Sequence, residues 1–404
     1  MNAVAVRTML AAAAALAAAG LAIFVIAPRL QTEPPPLRIM PQEEPLSPDA
    51  RKELEVESPS IPIKAFEDTT LVRFDLAKPL LETVYPPLRT RDIVWQSQVG
   101  FRRRSDQNRP TPWPEHPKGE WTLRTNHAGF RMDAELDLSK RTFAITGDSH
   151  LDGACSNDES VAGLVTAALA TEDPELQVAN VACGGYSLHQ YLGALEFLCG
   201  DTPGELVDTD RAISLETLAV AIYGGNDFSE LLKLRHEFRG TRRPLGWGRD
   251  NERAKPLRKA SPSVFGQALS SLLYFRNAPS EIDVAMDEAL AITEELERHA
   301  NRRGIRLVFL YLPSAITSEP QLHEELLEPV AGALEITPEQ LAEEDRLGDA
   351  LIAGLQKQGA DIIDVRPLLA DGQQHFWSQD LHLNLKGQAV VAAALLDWYR
   401  QPAR

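Results

Sequence analysis

From Arg141 to the end of the chain, strand-like runs alternate with helix-patterned ones, and no other feature narrows the possible folds as far. The β-prone runs are Thr142–Thr146, Leu176–Ala182, Leu218–Tyr223, Ile305–Tyr311 and Asp361–Val365. Helical periodicity appears near Ser160–Ala170, Leu188–Leu198, Phe228–Arg235, Ile282–Arg303 and Glu343–Gln358, with a last helix over Leu385–Tyr399. Two parallel strands need a long crossover between them, and a helix usually supplies it. The pattern therefore predicts an α/β domain with a five-stranded parallel sheet covered by helices on both faces. Such sheets bind ligands outside the carboxyl ends of their strands. Residues that follow the strands are thus the first place to look for chemistry.

Four short motifs lie there. Gly147-Asp148-Ser149 ends the first strand, and Asn180-Val-Ala-Cys-Gly-Gly185 follows the second. Gly224-Gly225-Asn226-Asp227 follows the third, and Asp380-Leu-His382-Leu-Asn384 precedes the last helix. Each is an ordinary turn by itself, since Gly, Asp, Asn and Ser are common turn residues. Together they supply what acyl transfer through serine requires. Ser149 offers a hydroxyl at an exposed turn, and His382 offers an imidazole able to take its proton near neutral pH. Asp380 can hold that imidazole in the correct tautomer. In an extended segment residues two apart share a side, so Asp380 and His382 are expected to face the same edge. Asp380 could instead cap the following helix. The backbone N–H groups of Ser149 and Gly185 and the side-chain amide of Asn226 are candidates for an oxyanion hole.

The rest of the chain sets the context. Thr8 to Ala27 is uncharged and apolar, close to the ~20 residues that a spanning helix needs. Residues 1–28 are read as a transmembrane anchor, with a cleaved signal peptide as the alternative. Residues 29–62 are rich in proline and acid and are read as an extended linker. Residues 63–140 are read as an extension packing on the core, with Trp121–Arg131 as a hairpin beside the sheet and Pro110, Pro112 and Pro114 as breakers. Residues 141–404 form the catalytic domain. This organisation predicts a single-pass protein of the cell inner membrane whose catalytic domain is periplasmic or extracellular. A net charge of −17 argues against nucleic acid as a partner. The 44% hydrophobic content suffices for a sizeable core. Three cysteines lack zinc-site spacing; Cys155 and Cys183 could pair, although buried thiols are the simpler reading.

The four motifs resemble the blocks of the SGNH, or GDSL, hydrolases, in which Ser149, Gly185, Asn226 and His382 match the four naming residues. The resemblance runs from about Trp121 to Ala403, and Asn126-His-Ala-Gly-Phe-Arg131 looks like the lead-in of membrane-tethered bacterial members. It implies a flavodoxin-like three-layer sandwich and an esterase, lipase, carbohydrate acetylesterase or O-acetyltransferase activity without metal or cofactor. The family usually places its acid three residues before the histidine, where this chain has Gln379; Asp380 stands two before. A similar Asp-x-His occurs in exported alginate O-acetyltransferases. The expected substrate is an acylated carbohydrate or small ester. A transferase would also need a polytopic membrane partner to supply acyl groups, and a non-catalytic glycan-binding module is the third reading. No G-x-S-x-G elbow and no phosphate-binding glycine loop occurs after a strand. His150 is a candidate for substrate binding, with plain surface exposure as the simpler reading. The basic segment Arg235–Lys259 is a candidate flap, with Trp247 placed to stack on a sugar ring.

Overall fold

The β-prone runs form the sheet that their alternation requires. The computed structural model describes residues 92–96, 99–200, 213–239 and 255–402. Two small antiparallel pairs come first: β1 (Ile93–Gln96) with β2 (Gly100–Arg103), and β3 (Asn108–Pro112) with β4 (Glu120–Arg124). The main sheet holds β5 (Arg141–Thr146), β6 (Leu176–Asn180), β7 (Ser214–Tyr223), β8 (Arg306–Leu312) and β9 (Ile362–Asp364), all parallel. Its order is β6-β5-β7-β8-β9. Counted within the sheet this is 2-1-3-4-5, so the winding reverses between β5 and β7 and opens a crevice at their carboxyl ends.

The longer helices among the described residues are α1 (Val161–Leu169), α2 (Leu188–Cys199), α3 (Asp227–Arg239), α4 (Ser270–Asn277), α5 (Glu281–Arg303), α6 (Glu324–Leu334), α7 (Glu343–Gln358) and α8 (Leu385–Tyr399). Each strand feeds two cores because successive side chains point to opposite faces. Leu218, Val220, Ile222, Phe309 and Tyr311 pack under α2, α3, α5 and α7. Ala219, Ala221, Tyr223, Val308, Leu310 and Leu312 pack under α1, α6 and α8. This double burial explains why the strands read as continuous apolar runs.

Two expectations need correction. Trp121–Arg131 is not a hairpin: its first half is β4, and the partner strand lies upstream in β3. Pro110 and Pro112, read as breakers, sit inside that strand opposite Thr122 and Glu120. Being two apart, both face their missing N–H away from β4, so the ladder loses no donor. Cys155 and Cys183 do not pair, in keeping with the simpler of the two readings. All three cysteines are free thiols, and burial pushes those of Cys155 and Cys183 up to about 12. The described part of the extension shares the main core, where Phe101 meets Tyr186 edge-on and Phe130 meets Phe197. The anchor read at 1–28 and the linker at 29–62 lie outside the described residues. Among the described residues no helix is long and apolar enough to cross a membrane.

Candidate active site

The nucleophile turn follows β5. A helical turn, Ser149–Asp152, starts directly after Gly147-Asp148, and the Asp148 carboxylate caps it by accepting the His150 N–H at 2.9 Å. Between Gly147 and Asp152 every residue except Ser149 is buried. The Ser149 hydroxyl donates to the other Asp148 oxygen at 3.4 Å. Burial pushes the Asp148 carboxyl up to about 6, against the His150 N–H and the charge of His382. The first N–H groups of such a turn have no acceptor within the turn's own backbone.

His382 arrives on a loop closed at its base. Phe376 and Leu383 form an antiparallel bridge, Asn384 N–H donates to the His375 carbonyl at 2.8 Å, and Trp377 N–H donates to that of His382 at 2.8 Å. At the tip, Asp380 accepts from His382 Nδ1–H, and the same oxygen accepts from the His382 backbone N–H at 3.3 Å. The extended geometry expected for Asp380-Leu381-His382 is replaced by a tighter one. Leu381 has φ +67°, a left-handed conformation that costs a non-glycine residue about 1–2 kcal/mol. Its fully buried side chain holds it there. His382 Nε2 is buried and has no hydrogen-bond partner among the described residues. Burial opposes the imidazolium, but the bond and charge of Asp380, with the charges of Asp148 and Asp152, outweigh it. The pKa of His382 is raised above its ordinary value.

His150 joins the two parts. It is fully buried, which corrects the surface exposure expected of it. Its ring centroid lies 3.9 Å from that of Tyr223 and 4.9 Å from that of His382, and its Nδ1 accepts the Leu383 N–H at 3.4 Å. Burial and the neighbouring His382 hold its pKa well below the usual histidine range, so it packs as a neutral ring.

The candidate donors sit on the adjoining loops. Gly185 follows β6, is exposed, and has φ +88°, a conformation that favours glycine. Its loop is tied to the nucleophile turn: Cys183 N–H donates to the Gly147 carbonyl at 3.2 Å, and Gly184 N–H to Asp152 at 3.2 Å. Asn226 follows β7 and reaches solvent beside buried Gly225 and Asp227. A Cβ on Gly225 would lie 2.1 Å from the Gln267 carbonyl, so only glycine lets the loop seat against the π-helical turn Val264–Ala268. Asn226 Nδ2 is 3.4 Å from the Gly266 carbonyl, long enough to leave it free for a better acceptor.

The turns bearing Ser149, Gly185 and Asn226 thus follow neighbouring strands of one sheet, and His150 brings the ring of His382, with Asp380, to the first of them. Asp152 is a residue the sequence reading missed. It takes Arg103 and Gly184 N–H on one oxygen and lies 3.7 Å from Arg131 with the other. Its position one turn after Ser149 is the only local signal for it. The candidate flap is corrected at its start, where Arg235 pairs with buried Glu288 at 2.7 Å. Trp247 lies outside the described residues. Among the described residues no cluster of three or more His, Cys, Asp or Glu side chains is arranged to hold a metal ion.

No family model matches the chain, and no curated protein does. Solved structures similar to it include an alpha/beta hydrolase enzyme from the metagenome of Lake Arreo, Spain, at 17% identity and TM-score 0.35, covering 65% of this chain and 95% of that one. Another is an acetylxylan esterase from Geobacillus stearothermophilus at 13% identity and TM-score 0.37, covering 66% and 98%. A further acetyl xylan esterase shares 11% identity at TM-score 0.36, covering 64% and 98%.

Proposed function

We propose that the chain is a serine ester hydrolase of the SGNH class that removes O-acyl groups, O-acetyl foremost, from a carbohydrate. The observation that carries this reading is the Asp380–His382 pair, its Nε2 without a partner among the described residues and its ring packed through His150 against the turn that bears Ser149. In the reaction, Nε2 takes the Ser149 proton as Oγ attacks the ester carbonyl. The oxyanion is met by the N–H groups of Ser149 and Gly185 and the Asn226 amide. Collapse expels the alcohol, protonated from His382 Nε2, and leaves acyl-Ser149. Water, deprotonated by the same nitrogen, then releases the acid. Asp380 keeps Nδ1 protonated throughout.

The carbohydrate substrate rests on the resemblance of the motifs, and the apolar run Thr8–Ala27 supports a tether that places the domain outside the cytoplasm. The Asp-x-His spacing favours a second reading, transfer of the acyl group to a sugar hydroxyl in place of water. A fluorophosphonate probe should label the wild type and leave Ser149→Ala unlabelled; equal labelling would sink the proposal. With p-nitrophenyl acetate, release of free acetate regardless of an added oligosaccharide supports hydrolysis. An acetylated oligosaccharide as the main product would establish transfer.

A further inference from the structure

Building on that reading, we propose that the β3–β4 hairpin of the N-terminal extension is a working part of the site, and that Glu115 at its tip is a positioning residue for Asp380. The Glu115 carboxylate reaches across the fold to the loop that carries the acid and the histidine. One oxygen accepts the Gln379 N–H at 3.0 Å and the other the Asp380 N–H at 3.2 Å. An ionised carboxylate on two backbone N–H groups is among the stronger hydrogen-bonding arrangements a protein can make.

The tip that presents Glu115 is itself held. His116 N–H donates to the Trp113 carbonyl at 3.0 Å, and Gly119 N–H to the His116 carbonyl at 2.8 Å. The buried His116 ring meets Glu159 at 3.0 Å and lies 6.0 Å from the ring of Trp377, whose Nε1–H donates to the Ala154 carbonyl at 3.3 Å. The hairpin is therefore anchored on both sides of the loop it grips.

The loop needs such a grip. Leu381 holds its left-handed backbone between Asp380 and His382, and the two residues before Asp380, Ser378 and Gln379, are exposed. Glu115 supplies two of the hydrogen bonds on this exposed side of the tip. Without them the loop can relax and carry the Asp380 carboxylate away from Nδ1. The groups facing His382 are Asp380 on its own loop and Asp148, His150 and Asp152 on the nucleophile turn. Of these, only Asp380 depends on Glu115.

The test is a double-mutant cycle in the full-length chain, with Glu115→Ala, Glu115→Gln, Asp380→Ala and the pair Glu115→Ala/Asp380→Ala. Glu115→Ala should lower kcat by on the order of ten- to a hundredfold through misplacement of the pair, with KM nearly unchanged. It should also move the acid limb of the kcat profile to lower pH, because a loosened Asp380 no longer raises the pKa of His382. Glu115→Gln, which keeps one acceptor, should fall between. In the Asp380→Ala background Glu115→Ala should cost little more. Equal losses in both backgrounds, or an unmoved acid limb, would overturn the proposal. NMR titration of His382 in Glu115→Ala reads the same shift without turnover, so this inference can fail or stand separately from the esterase reading, which Ser149→Ala tests.

Discussion

Replacing Asp380 by Asn tests whether the carboxylate–imidazole pair does more than shape a loop. Asn keeps the size of the side chain but can offer an amide N–H to Nδ1, which favours the tautomer with the proton on Nε2, where it cannot accept from Ser149. In a fully enclosed triad that change costs about 10⁴ in kcat, or roughly 5.4 kcal/mol. Here the His382 and Asp380 side chains are 14% and 21% exposed, so water can partly replace the lost partner. The expected loss is therefore about 10³–10⁴. The pH dependence moves as well. Burial alone would depress the pKa of His382, and Asp380 is the chief group raising it. The general base works when neutral, so wild-type kcat should fall as pH drops through a value above the ordinary ~6.5. In Asp380→Asn that limb should move down. Stability follows the same sign: a raised folded pKa stabilises below the unfolded value and the gain is lost as pH rises through the folded one. The variant's deficit in Tm should thus be larger at about pH 5 than at about pH 9. Helix capping is not at stake, because the Asn384 side chain caps α8 by accepting from Lys386 and Gly387 N–H at 2.9 and 3.0 Å. Stopped-flow or steady-state ester hydrolysis across pH, with thermal melts, measures all of this. A folded variant within about threefold of wild-type kcat and with an unmoved limb would refute the triad and leave Ser149 and His382 as a dyad.

Asn226→Ala should lower kcat by about 10²–10³ with little change in KM, since in the proposed role its amide meets an oxygen that becomes anionic only in the transition state; a rise confined to KM in steady-state kinetics would reassign it to substrate binding. Glu159 is held down to about 2: burial opposes its charge, but Lys118, the Ser156 N–H and His116 outweigh that. Its contribution is present above the ordinary ~4.5 and lost as pH falls through about 2, so Glu159→Gln should melt a few degrees lower than wild type near neutral pH and match it at the acid end.

Much of the fold was legible because burial on both faces of a parallel sheet writes itself into local sequence. Helices α7 and α8 begin and end where the periodicity places them, and each strand of the main sheet lies on an expected run. The positions of the motifs were legible for a related reason: a parallel sheet puts every strand end on one edge, so the turns that carry Ser149, Gly185 and Asn226 lie along it once the strands are known. Other features depend on which distant residues come to touch, and no local pattern carries that. Pro110 and Pro112 look like breakers until β4 pairs with the opposite side of their strand. His150 looks exposed at a turn until Tyr223 and His382 close over it. The left-handed backbone of Leu381 is stable only because the core takes its side chain. Glu115 belongs to the Asp380 loop although 265 positions separate them. Periodicity reports the average environment of a segment, whereas these contacts are set by how two segments, each already shaped by its own neighbours, fit together in space.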